Sequence, residues 1–145
     1  MSNSLLRKGL PILLMLTASS GTAAAQPAQR LACTIGVDQH YGSGYCDLRP
    51  VVNFLAKDRL RIHVGGTAAR VVVRLLPEGS SPGGSDIVIR EGQIVPPGRV
   101  FDVVLTQDYP NTVQVSVHGG SNPWGLYPLG AGNGPATLLS VERLR

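Results

Sequence analysis

Hydrophobic and polar side chains alternate with a period of two along much of this chain. In the stretch RLRIHV, Leu60, Ile62 and Val64 share one face, whereas Arg61 and His63 share the other. Such alternation is typical of a β-strand with one face on a core and one in water. It recurs in three further stretches, residues 69–76, 99–106 and 112–118. The pattern therefore predicts half-buried strands rather than helices.

The stretch 69–76 makes the most specific prediction about orientation. Val71, Val73 and Leu75 fall on its apolar face, and Val72 lies with Arg74 on the opposite face. We therefore expect Val73 to face a core and Val72 to face water. A charge introduced at position 73 should then be severely destabilising, and one at position 72 mild.

Turn-forming residues separate the apolar stretches at intervals of about ten residues, as in an antiparallel sandwich or barrel. Residues 50–56, 86–90 and 136–144 add three more strands. Helical spacing occurs only in 51–60, where Pro50 and the pair Val51-Val52 favour a strand and a turn instead. The predicted fold is an all-β, antiparallel β-sandwich, jelly-roll or immunoglobulin-like, of about eight strands.

The first 25 residues have the features of a secretory signal peptide. Arg7 and Lys8 precede an apolar run at 9–18 that is short for a membrane span, and Ala23 and Ala25 occupy the −3 and −1 positions of a cleavage site. We expect cleavage before Gln26 and a single domain over residues 26–145. The alternative is an uncleaved N-terminal anchor. Cleavage implies a periplasmic or secreted protein with no membrane attachment.

The net charge excludes one class of partner. Without Arg7 and Lys8 the formal charge falls from +4 to +2, and the basic residues are scattered among nine acidic ones. Nucleic-acid binding requires a basic stripe or patch, so no nucleic-acid partner is expected.

The chain contains two cysteines, Cys33 and Cys46. Export favours a disulfide between them, across a loop rich in turn formers. A redox function would be expected to use Cys-x-x-Cys spacing, which is not present. We therefore expect a structural disulfide.

The single tryptophan, Trp124, lies in the long loop 117–130 (VHGGSNPWGLYPLG). Long loops are usually functional or packed on themselves, so Trp124 either caps the core or forms an aromatic platform with Tyr127. Such a platform would suit the flat face of a sugar or an apolar patch on a partner protein. Gln114, His118 and Asn122 could add directed hydrogen bonds to a ligand. Tyr109, and Tyr41 or Tyr45, would join the site if their loops share this end of the sandwich.

Enzymatic alternatives rest on weaker patterns. Ser81 lies in a Gly-x-Ser-x-Gly match, but no helix is predicted after it, as a nucleophile elbow requires. His40, His63 and His118 lack the close spacing of a metal site, so no metal and no cofactor is predicted. A catalytic triad of Ser116, His118 and Asp102 would be a chance combination, because any β-sandwich can supply three such residues. Two alternatives to a binding module stay open: a small hydrolase or metal-dependent enzyme using His63 and His118, and an inhibitor or assembly subunit of the cell envelope.

The strand rhythm of residues 46–145, which closes on NGPATLLSVERL, resembles the secreted carbohydrate-binding modules of the galactose-binding-like class. The resemblance implies a two-sheet jelly roll that binds carbohydrate through loop aromatics. It transfers no individual residue, and the acid clusters that bind calcium in that class are replaced here by isolated aspartates. The expected function is a non-catalytic binding module for a carbohydrate or a cell-envelope protein, with the site at the end that carries loop 117–130.

Overall fold

Antiparallel β-strands form the described part of the protein. A computed structural model describes residues 27–39, 42–80, 86–120 and 129–145. The predicted signal peptide at 1–25 lies outside these residues, as do His40, Tyr41, Ser81, Asn122, Trp124 and Tyr127. The strands of the described ranges are β1 (Ala28–Arg30), β2 (Cys33–Asp38), β3 (Ser43–Phe54), β4 (Arg59–Gly66), β5 (Arg70–Pro77), β6 (Asp86–Ile94), β7 (Val100–Val104), β8 (Tyr109–His118) and β9 (Ala136–Leu144).

The strands form two antiparallel sheets, which confirms the predicted all-β sandwich. Over the described ranges, one sheet has the order β1-β9-β4-β7 and the other has the order β2-β3-β8-β5-β6. The chain passes from the first sheet to the second between β1 and β2. The stretch 51–60 forms the end of β3, a turn and the start of β4, as its β-branched residues predict.

The core lies between the sheets and takes side chains from both. Leu60, Ile62 and Val64 of β4 contribute to it from the four-stranded sheet, and Val115 and Val117 of β8 contribute from the five-stranded sheet. These are the apolar positions of the alternating stretches. Burial of such side chains contributes about 1.5–3 kcal/mol each, which makes the shared core the main stabilising element.

The opposite side of β5 is also buried, contrary to the prediction for Val72. Val71, Val72 and Val73 are each 0% exposed, although only Val71 and Val73 belong to the core between the sheets. Leu129 is buried above Gly92 of β6, where a Cβ atom would come within 2.8 Å of the leucine side chain. The expectation that Val72 faces water is wrong, because periodicity does not reveal whether a face is covered.

Cys33 and Cys46 form the predicted disulfide, with 5.1 Å between their Cα atoms. The segment between them is more regular than the sequence suggests. Instead of a long loop, β2 and β3 form a hairpin in which Asp38 pairs with Ser43. The bridge therefore ties the edge strand β2 to its neighbour β3. A disulfide is consistent with a periplasmic or extracellular protein.

A buried ion pair lies at the turn between β3 and β4. Arg143 of β9 donates from Nε and Nη2 to Oδ2 of Asp58 at 2.9 and 2.6 Å, and from Nη2 to the carbonyl of Asn53 at 2.6 Å. Its guanidinium also lies 5.2 Å from the centre of the Phe54 ring. Asp58 in turn accepts from the N–H of Leu55 at 2.9 Å. The pair thus joins the end of β9 to the β3–β4 turn.

Candidate functional site

Three polar side chains lie in a row along β8, on the side of the five-stranded sheet that faces away from the core. Because Val115 and Val117 point into the core, Gln114, Ser116 and His118 point the other way. Oγ of Ser116 and Nε2 of His118 are hydrogen-bonded at 3.1 Å. The alternation in residues 112–118 predicts this shared face for all three side chains, and the structure adds the hydrogen bond between Ser116 and His118.

Two side chains of β3 continue this polar surface. Tyr45 lies opposite Ser116, and Asp47 lies opposite Gln114. Nε2 of Gln114 donates to Oδ1 of Asp47 at 2.8 Å, so the amide and the carboxylate hold each other in place. We call the surface formed by Tyr45, Asp47, Gln114, Ser116 and His118 the outer face.

The Tyr45 ring lies across Gly36 on the neighbouring strand β2. The two residues are directly paired, and a Cβ atom at position 36 would overlap the tyrosine ring. An aromatic ring over a glycine on an adjacent strand is a recurrent way of covering the bare backbone there. Gly36 therefore determines where the Tyr45 ring lies, and the half-buried ring keeps part of its surface accessible.

A surface pocket of about 540 Å³ opens beside Asp47 and Gln114. It lies where the pairing of β3 with β8 shifts register between Asp47 and Val52. Pro50 falls within this irregular segment and has no N–H to donate to the ladder. The pocket is lined by Asp47, Leu48, Arg49, Pro50, Val51, Leu76, Glu78, Val113 and Gln114. Its volume is in the range of small-molecule sites, and its wall combines apolar side chains with a few charged ones.

His118 is uncharged at neutral pH. Burial, and next the positive charge of Arg74 on β5, lower its pKa to about 4, although the carboxylate of Asp38 acts in the opposite direction. The ring therefore has one N–H donor and one acceptor nitrogen near pH 7. The imidazole is therefore an uncharged, fixed partner of the Ser116 hydroxyl.

The low pKa of His118 predicts that the folded protein loses stability as the pH falls. Above pH 6.5, His118 is neutral in both the folded and the unfolded protein, so it does not affect stability there. Between pH 6.5 and about 4 only the unfolded chain takes up the proton, so the free energy of unfolding falls with pH. We expect His118→Gln to remove about 2–3 kcal/mol of the wild-type loss between pH 7 and pH 4.5, measured by urea denaturation. An unchanged loss in the variant would contradict the assigned pKa.

Both described ends of the loop that contains Trp124 are fastened to the five-stranded sheet. Oδ1 of Asn133 accepts from the N–H groups of Ala69 and Arg70 at 2.9 and 3.1 Å. Its Nδ2 donates to the carbonyls of Arg70 and Gly120, each at 3.0 Å. Nothing in the glycine-rich sequence around Asn133 predicts that its side chain forms these four hydrogen bonds. Trp124, Tyr127 and Asn122 lie outside the described residues, so the predicted platform stays a prediction.

Tyr109 does not belong to this site. It is 8% exposed, packs in the core and pairs with Phe54, at the opposite end of β8 from His118. The turn-like sequence QDYPN suggested a loop, but Tyr109 is already the first residue of β8. The sequence-based grouping of Tyr109 with His118 is therefore wrong.

The structure does not bring His63 and His118 together. His63 lies on β4 in the other sheet, with Nε2 at 2.5 Å from Oε1 of Glu142. Asp102 lies on the same sheet as His63 and is paired with Arg61 at 2.9 Å, so it does not join Ser116 and His118 either. Within the described ranges, no three histidine, cysteine or acidic residues are grouped so that they could hold a metal ion.

No protein-family model, curated protein or solved structure matches this chain. In the described ranges there is also no helix of the length and apolar character needed to cross a membrane. The resemblance to carbohydrate-binding modules therefore extends only to an architecture of two antiparallel sheets.

Proposed function

We propose that this protein is an exported, non-catalytic binding module that holds a carbohydrate on the outer face. One observation supports this most: the accessible ring of Tyr45 lies beside two preformed hydrogen-bonded pairs, Ser116–His118 and Asp47–Gln114. The surface pocket adjoins the second pair. The site is thus near the loop end predicted from the sequence, but it is centred on the sheet.

A carbohydrate fits the chemistry of this surface. A sugar ring has an apolar face that packs on an aromatic side chain and hydroxyl groups that need directed hydrogen bonds. Tyr45 supplies the ring, the Asp47 carboxylate supplies acceptors, and the Gln114 amide supplies both donors and acceptors. Because Asp47 and Gln114 already bind each other, little side-chain entropy is lost when a ligand joins them.

The Ser116–His118 pair resembles a nucleophile and its base, yet its properties favour binding over hydrolysis. A general base works best with a pKa near the working pH, whereas the pKa of His118 is about 4. Ser116 is also buried, which restricts the approach of a substrate to its hydroxyl. Both properties suit a fixed hydrogen-bonding group better than a reactive one.

A second candidate function is protein contact in the cell envelope through edge strand β2. Ile35 and Val37 are 42% and 49% exposed on this strand. Over the described ranges, β2 pairs with β3 alone and without a register shift, so its other edge is unpaired and carries exposed apolar side chains. Such an edge can accept a strand from a partner. Under this function Ile35→Lys would weaken a partner complex, and Tyr45→Ala would not.

The carbohydrate proposal is tested by a glycan array followed by calorimetric titration of the exported protein with the best ligand. Tyr45→Ala should weaken binding at least about tenfold, or 1.4 kcal/mol, because the stacking surface is lost. Tyr45→Phe keeps the ring and should retain most of the affinity. Gly36→Ala should reproduce the loss indirectly, because the new Cβ displaces the ring. Its stability should change little, since the flexible end of the tyrosine can move.

Gly98→Ala is the matched control, because a Cβ at Gly98 meets nothing within 4 Å. It should bind like the wild type. If Tyr45→Ala and Gly36→Ala both keep wild-type affinity, the outer face is not the binding site.

A further inference from the structure

We infer that the carbohydrate is an uncharged chain of two or more rings, which extends from Tyr45 into the surface pocket. This inference rests on the proposed function. It adds the length and the charge class of the ligand, which the outer face alone does not define.

The length of the ligand follows because the outer face and the pocket adjoin each other. Asp47 follows Tyr45 by two positions on the same side of β3, a step of about 7 Å along the strand. Asp47 and Gln114 belong both to the outer face and to the pocket wall. A ligand that stacks on Tyr45 and bonds to this pair therefore has its next unit directed toward the pocket. With a volume of about 540 Å³, the pocket adds substantial space beyond the Tyr45 surface.

The charge class follows from the pocket wall. Its ionisable side chains are Asp47, Glu78 and Arg49, so negative charges outnumber positive ones. Pro50, Val51, Leu76 and Val113 make the rest of the wall largely apolar. An anionic sugar would be repelled by the excess carboxylate charge, whereas a neutral sugar can use the carboxylates as acceptors for its hydroxyl groups.

The test is calorimetric titration with two neutral series, glucose oligomers joined by β-1,4 bonds and N-acetylglucosamine oligomers, each from one to six rings. At least one series should gain tenfold or more in affinity between one ring and three. Arg49→Ala and Glu78→Ala, both at exposed side chains, should reduce this gain without changing the affinity for one ring. Tyr45→Ala should weaken binding at every length. Arg59→Ala, an exposed arginine on the other sheet, is the control and should change nothing.

Three outcomes would count against the inference in different ways. Equal affinity for one and three rings, or an unchanged gain in both pocket variants, would overturn the extended ligand and leave the Tyr45 site in place. Tighter binding of galacturonic acid oligomers than of either neutral series would overturn the uncharged class. If the wild type binds no oligomer and no glycan on the array, the proposed function itself fails.

Discussion

Replacing Asp58 with alanine is expected to destabilise the fold by about 3–5 kcal/mol, because the change leaves the guanidinium of Arg143 buried without its counter-ion. The two side chains are only 6% and 8% exposed. Burial opposes ionisation of Asp58. The hydrogen bond from Leu55, and the hydrogen bond and charge of Arg143, outweigh burial, so the pKa of Asp58 lies below its ordinary value. The stabilisation is therefore present above pH 4 and is lost as the pH falls further.

The surface pair Arg61–Asp102 provides the matched control. Its N–O distance is 2.9 Å, but its side chains are 40% and 29% exposed. Exposed pairs contribute about 0–1 kcal/mol, so Asp102→Ala should cost less than about 1 kcal/mol. Urea denaturation at pH 7 measures both variants. Similar losses in the two would show that Asp58 and Arg143 are not the buried pair described above.

Val72→Asp and Val73→Asp are both expected to destabilise the protein by more than about 4 kcal/mol, in contrast to the difference that alternation predicts. Both side chains are 0% exposed, so either substitution puts a carboxylate where an apolar side chain is fully buried. Val104→Asp is the control, because Val104 is 52% exposed on edge strand β7. It should cost less than about 1 kcal/mol. Soluble expression and thermal unfolding would show the difference. A mild Val72→Asp would restore the solvent-facing assignment.

The strands could be predicted from the sequence where one face is polar. The alternation of Leu60, Arg61 and Ile62 identifies β4, and the apolar residues of 136–144 identify β9 equally well. β2 was harder to predict, because Thr34, Ile35 and Gly36 lie on an edge between turn formers. The burial of Val72 could not be predicted at all, since period-two alternation does not report whether the second face of a strand is covered.

The site was predictable only in part for a related reason. The period of two puts Gln114 and His118 on one face of β8, and both are on the outer face. Gly36 and Tyr45 lie on other strands and join the β8 side chains only through the pairing of β2, β3 and β8. Tyr109 shows the converse, because a turn-like sequence concealed a core position. The register between neighbouring strands therefore determines which side chains meet at the candidate site, and no local sequence pattern predicts that register.

The most direct test of the account is a two-dimensional ¹H–¹⁵N spectrum of the protein, recorded during titration with the tightest-binding glycan from the array. Binding on the outer face predicts that the largest shifts fall on Tyr45, Asp47, Gln114, Ser116 and His118. The amides of His63 and Glu142, on the other sheet, should stay unchanged. Shifts confined to the four-stranded sheet, or to edge strand β2 alone, would contradict the account.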